Sequence, residues 1–186
     1  MVSVTALWLP ILLAAILVFV ASSVIHMFLP WHKNDFQKLP REDEVRAALR
    51  PFDLPAGVYS TPYAASSADM RSGEWQEEMQ KGPVAFLTIV PKGLPRMGPQ
   101  LAQWFVYCLV VGVFTAYLTG LAYGPGAEYG EVFRLAGTAA FMGYALGHPQ
   151  DAIWFHQGWP ATLRSMVDGL VYGLLTGGVL GWLWPG

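Results

Sequence analysis

Long apolar runs alternate with one polar stretch along this chain. Residues 4–29 form the first run, longer than the ~20 residues a helix needs to cross a bilayer. Residues 101–123, 132–148 and 163–184 form three more. The third reaches full width only by taking in residues from Tyr129 onward, with Glu131 and Arg134 at its edge. No Lys or Arg precedes Trp8, so the first run lacks the positive flank of a signal peptide and reads as a retained span. The pattern predicts an all-α membrane protein: a four-span transmembrane helical bundle with a small mixed α/β cytoplasmic loop between spans one and two. Residues 1–30 make the first transmembrane helix, 31–100 the appendage and 101–186 a three-helix transmembrane bundle.

The appendage has its own punctuation. Eight of the 14 prolines fall within residues 31–100, which excludes one continuous helix. Glu42, Asp43 and Glu44 follow Pro40, and Arg46 and Arg50 come later, a charge order that suits a helix dipole until Pro51 ends the run. Ser72 is placed to cap a second helix, with Trp75 and Met79 on one face and Gly82 as the stop. Residues 84–90 then form an apolar, partly β-branched run closed by Pro91, which predicts a strand, and residues 58–61 are the nearest partner. A two-stranded pair is marginal alone, so its free face is expected to dock on the bundle or on another protein.

Composition and charge sharpen this picture. The chain is 54% hydrophobic and 13% charged, against about 25% charged in a soluble domain. Of its 24 charged residues, 18 lie in the appendage. A net charge of -2 removes the basic footprint of a nucleic-acid binder. Ten of the eleven cations, all except Arg134, fall on one side of the expected topology, which makes that side cytoplasmic and puts both termini outside the cytoplasm. The single cysteine, Cys108, excludes an internal disulfide and a cysteine-based metal cluster held by this chain alone.

Small residues recur at every fourth position. Gly169, Gly173, Gly177 and Gly181 follow Ser165 in the last run; Gly112, Ala116 and Gly120 follow Cys108 in the second; Gly143 and Gly147 follow Ala139 in the third. Such stripes let membrane helices approach closely. A step of four on a helix of 3.6 residues per turn rotates by about 40°, so one straight partner cannot follow a whole stripe; the helices must cross right-handedly or the stripe must serve two neighbours.

Candidate chemistry concentrates on the cytoplasmic side. His26 and His148, near the ends of spans one and three, are candidate cofactor ligands at similar depth, as haem b would require; His32, Asp151 and His156 are candidate metal ligands. Arg164 and Asp168 stand one turn apart and form a candidate intramembrane charge pair. Neither a nucleophile elbow nor a phosphate-binding glycine loop is present.

Ser22, Ser23 and His26, the stretch Leu39, Pro40, Glu42 and Asp43, then Gly82, Pro83, Phe86, Leu87 and Thr88, and the run from Trp104 to Gly112 together resemble a family of small uncharacterised bacterial inner-membrane proteins. The resemblance implies a multi-pass protein of the bacterial inner (cytoplasmic) membrane and carries no activity or site residue with it. The expected function is that of a non-enzymatic accessory or structural subunit in a larger membrane complex. Its partners would be the lipid bilayer and other membrane proteins or further copies of itself, with no nucleic acid and no obligatory cofactor. The alternatives are a haem- or metal-binding membrane redox protein and a small transporter or channel.

Overall fold

The computed structural model describes residues 1–186. It is mostly helical, with one two-stranded sheet. The helices are α1 (Trp8–Phe28), α2 (Glu42–Leu49), α3 (Gly73–Lys81), α4 (Met97–Ala122), α5 (Tyr129–Ala145), α6 (His148–Trp154) and α7 (Trp159–Trp182). Two compact units result: residues 1–37 with 96–186, and residues 38–95.

Two helices are long and apolar enough to cross a membrane, Val4–Phe28 (a short 3-10 turn running into α1) and α4. The other two expected spans fall short of that measure. The 17 residues of α5 rise only about 26 Å, less than the ~30 Å hydrocarbon core. At 24 residues α7 is long enough, but its apolarity is diluted by Arg164 and Asp168 in its first turns.

In the larger unit α1, α4, α5 and α7 pack side by side. One buried cluster joins Leu7, Ile11, Ala116, Val132 and Leu180; a second joins Val18, Cys108, Ala140, Tyr144 and Tyr172. The glycine stripe of α7 is consumed by a single neighbour. A Cβ at Gly169 would stand 2.8 Å from the Ala145 methyl, at Gly173 2.9 Å from the Gly137 carbonyl, at Gly177 2.8 Å from the Phe133 carbonyl, and at Gly181 2.8 Å from the Tyr129 ring. The α5 partners also recur every four residues, so rows of step four interlock on both helices, the arrangement that produces right-handed crossings. The stripe on α4 serves other neighbours: Gly112 faces Ile11 of α1, and Gly120 meets the Val2 backbone, whose N–H donates to the Gly120 carbonyl at 2.9 Å. At this same end Trp184 donates to the Gly124 carbonyl (2.9 Å) and the Gly126 N–H to the Pro185 carbonyl (2.8 Å).

The smaller unit holds α2, α3 and an antiparallel pair, β1 (Gly57–Thr61) with β2 (Ala85–Ile89), registered from Gly57 opposite Ile89 to Thr61 opposite Ala85. Ser72 caps α3 by accepting from the Trp75 N–H (3.2 Å), and Gly82 ends it at φ 60°, where the missing Cβ removes the steric penalty. None of residues 38–95 is buried.

Candidate functional site

The site lies at the end of the bundle away from Val2 and Trp184, where α1 stops. Leu29 precedes Pro30 and is extended, so the helix breaks there and residues 30–32 make a 3-10 turn. The turn folds His32 back onto His26, with the two rings stacked at a 4.4 Å centroid separation and 9° between planes. Because the turn continues to Asp35, residues 31–37 belong with the helical unit and not with the appendage.

The other half of the site comes from α7. Arg164 and Asp168 share a face, but they do not bond to each other. Each takes a partner from the turn: Arg164 Nε donates to Asp35 Oδ1 at 2.8 Å, and Asp168 Oδ2 lies 2.7 Å from His32 Nε2. Arg164 and Asp168, singled out as a charge pair, thus enter a four-member cluster. His32 and Asp35, three apart on the turn, sit against Arg164 and Asp168, four apart on the helix. His32 Nδ1 closes the ring by meeting Asp35 Oδ2 at 2.5 Å. Both ring nitrogens of His32 lie within hydrogen-bond length of a carboxylate oxygen. Two carboxylates, an imidazole and a guanidinium thus meet in one network.

Burial raises the cost of any imbalance. The Asp168 side chain is 6% exposed and those of His32 and Asp35 15% each. Burial pushes the Asp35 carboxyl up, but the hydrogen bonds from His32 and Arg164 and the charge beside them outweigh it and hold it below the ordinary carboxylate value. His26 adds a second imidazole. Its Nδ1 lies 3.0 Å from the Ser22 carbonyl, which only an N–H on that nitrogen satisfies, so in the neutral ring Nε2 carries the lone pair; that atom stands 4.0 Å from Asp168 Oδ2.

Beside the cluster is a cavity of about 590 Å³ between α1, α4, α5 and α7. Its wall is largely apolar and aromatic, with Leu101, Trp104, Tyr107 and Tyr144 on one side and Ser165, Asp168 and Tyr172 on another. Trp104 is fixed by donating to Ser22 Oγ at 2.8 Å, and Tyr107 by donating to the Gly143 carbonyl at 2.6 Å. The Tyr172 hydroxyl, on a residue 4% exposed, has no hydrogen-bond partner.

Of the residues singled out from the sequence, the structure brings His26, His32, Arg164 and Asp168 together and sets His148, Gly143 and Gly147 in the cavity wall. Both His26 and His148 line that cavity, and the turn at Pro30 stacks His26 on His32 with its Nε2 4.0 Å from Asp168. Asp151 and His156 stay outside the cluster: the Asp151 carbonyl accepts from Phe155 and Gln157 in the turn after α6, and His156 takes a left-handed backbone, φ 54°. Sequence reasoning missed Asp35 and Ser22. A carboxylate three residues after His32 on a proline-started turn was the available signal for the first; Ser22 carried none, since its role comes from Trp104, 82 positions away. The chain has no significant match among family models, curated proteins or solved structures.

Proposed function

We propose that this chain is an integral protein of the bacterial inner membrane with four spans, α1, α4, α5 and α7, and that it binds an amphipathic molecule in the cavity at its cytoplasmic end. The observation that carries the binding reading is Asp168, a buried carboxylate in the wall of a 590 Å³ cavity whose lining is largely aromatic and apolar, with a few serines and histidines. Ligand sites in proteins are typically ~300–1,000 Å³, mostly apolar, with a few fixed polar groups. Trp104 and Tyr107, each held by a hydrogen bond, supply a rigid platform for the apolar body.

The test is purification in mild detergent followed by mass spectrometry of the organic extract, repeated after reconstitution in nanodiscs of one defined lipid. A bilayer lipid would exchange for the supplied one, whereas a soluble amphiphile would persist. Gly147 lines the cavity and a Cβ there would meet nothing within 4 Å, so Gly147→Phe is chosen to add bulk at the cavity wall, with thermal unfolding checked beside it. Retention of the molecule by wild type and its loss in Gly147→Phe is expected; equal retention overturns the reading. The topology is tested by reporter fusions after Arg71 and after Gly186, which should report opposite sides of the membrane.

A second reading, that of an accessory subunit, is favoured by the appendage. A segment with two helices and a strand pair but no buried residue has little core of its own. A partner surface over β2 would supply one. Phe86→Asp should then reduce recovery of a co-purifying membrane protein while leaving the bundle's thermal unfolding in place; unchanged recovery removes this reading.

A further inference from the structure

The cluster carries an inference that does not depend on what fills the cavity. Both histidines bond through Nδ1, His26 to the Ser22 carbonyl and His32 to Asp35, and both present Nε2 to the same carboxylate oxygen, Asp168 Oδ2, at 4.0 and 2.7 Å. The three donor atoms lie within 4.8 Å of one another. An imidazole whose far nitrogen is held by a carboxylate or a backbone carbonyl is the usual form of a metal-binding histidine, because that bond fixes the tautomer and aims the lone pair. Here both rings have such a partner. Asp35 is itself anchored by Arg164, a further outward layer.

We propose that His26, His32 and Asp168 bind one divalent transition-metal ion of the zinc type, with Asp35 and Arg164 as positioning residues behind His32. Two imidazoles and one carboxylate suit zinc, cobalt, nickel or iron(II), whereas magnesium and calcium favour sites built of oxygen alone. Three protein ligands leave a coordination position open. Because Asp168 and His26 both line the cavity, that position faces into it.

In the ion-free arrangement a hydrogen holds His32 to Asp168; the ion takes its place and that proton leaves to solvent. Donors around a tetrahedral ion with bonds of ~2.0–2.1 Å stand ~3.3 Å apart. The His32–Asp168 contact must therefore open slightly and the His26–Asp168 contact close by a similar amount. The stacked rings must also tilt so that both lone pairs reach one point. His26, whose side chain is 52% exposed, is the ring with room to move. The motion is a local change from stacking to coordination, with no shift of the helices.

The full chain, purified in detergent and stripped with a chelator, is titrated with cobalt(II) and zinc(II), and its helicity is followed by circular dichroism. One cobalt per chain with a visible d–d spectrum is expected, displaced by zinc. His26→Ala, which touches only the exposed ring, should abolish stoichiometric uptake with helicity intact. Asp168→Asn should do the same. Asp35→Asn should keep one ion per chain but bind it about 10- to 100-fold more weakly, as loss of a histidine's outer partner does elsewhere. His156→Ala should bind like wild type. A folded wild type that takes up neither ion, or uptake that survives in both His26→Ala and Asp168→Asn, overturns the assignment.

Discussion

The helical bundle and the appendage are stabilised in different ways. In the bundle, Leu7, Val18, Val132 and Leu180 are fully buried, and α7 lies so close to α5 that its glycines have backbone atoms where a side chain would be. In residues 38–95 no side chain is buried, yet α2, α3, β1 and β2 all form. Their shape comes from short-range devices: the Ser72 cap, the Gly82 stop, and the Lys92–Asp53 ion pair that joins the segments beside the two strands. Local chemistry is thus enough to define an element, while the energy that holds elements against unfolding comes from removing surface from solvent or lipid.

The comparison is broken most forcefully at glycines. Gly177→Leu should cost ~3 kcal/mol or more, because the new side chain must displace the α5 backbone, whereas Gly73→Leu, with nothing within 4 Å of its Cβ, should stay within ~0.5 kcal/mol. Thermal unfolding in detergent separates the two. Similar losses would mean that the two units share one cooperative core.

Ion pairs give the next contrast. Asp168→Asn should destabilise by about 2 kcal/mol, the scale of losing a hydrogen bond to a buried charged group, while Lys92→Gln in the appendage should leave the unfolding midpoint unmoved. Equal effects of the two substitutions would contradict the burial argument. The smallest effect is one of pH. The hydrogen bond and charge of Lys92 hold the Asp53 carboxyl below its ordinary value. Its contribution is present above the unfolded carboxylate value of about 3.9 and disappears as pH falls through the lower folded value. Protection of the β1 and β2 amides, taken relative to the intrinsic exchange rate at each pH, should therefore fall below about pH 4 in wild type, and less so in Lys92→Gln.

Much of the fold was legible because its signals are local. Pro40, Pro51, Ser72 and Gly82 bound α2 and α3 where their chemistry requires, and residues 84–90 find residues 58–61 as a partner. The four-residue glycine step announced close packing, but not that α5 alone would take the whole run from Gly169 to Gly181; that required knowing that Tyr129, Phe133, Gly137, Phe141 and Ala145 present a matching step. The site was half legible. His26, His32, Arg164 and Asp168 stood out by type and depth, but their pairing did not. Helical spacing matched Arg164 with Asp168, and the turn at Pro30 inserts His32 and Asp35 between those alternatives. A contact spanning 129 positions leaves no trace in spacing along one helix.

Matching steps on α5 and α7 have a consequence for how the chain assembles. Two tracks with the same period can mesh in more than one register, since sliding α7 by four residues, about 6 Å, brings each small residue to the next notch. Packing along the groove therefore discriminates weakly between neighbouring registers. The discrimination lies at the two ends. At one, Gly181 accommodates the Tyr129 ring at a distance that no larger residue permits. At the other, Asp168 reaches His32 only in the observed register, and a slip of one notch would leave a buried carboxylate facing no donor. The polar cluster is thus also the detent that selects one alignment of an otherwise repetitive pair of helices.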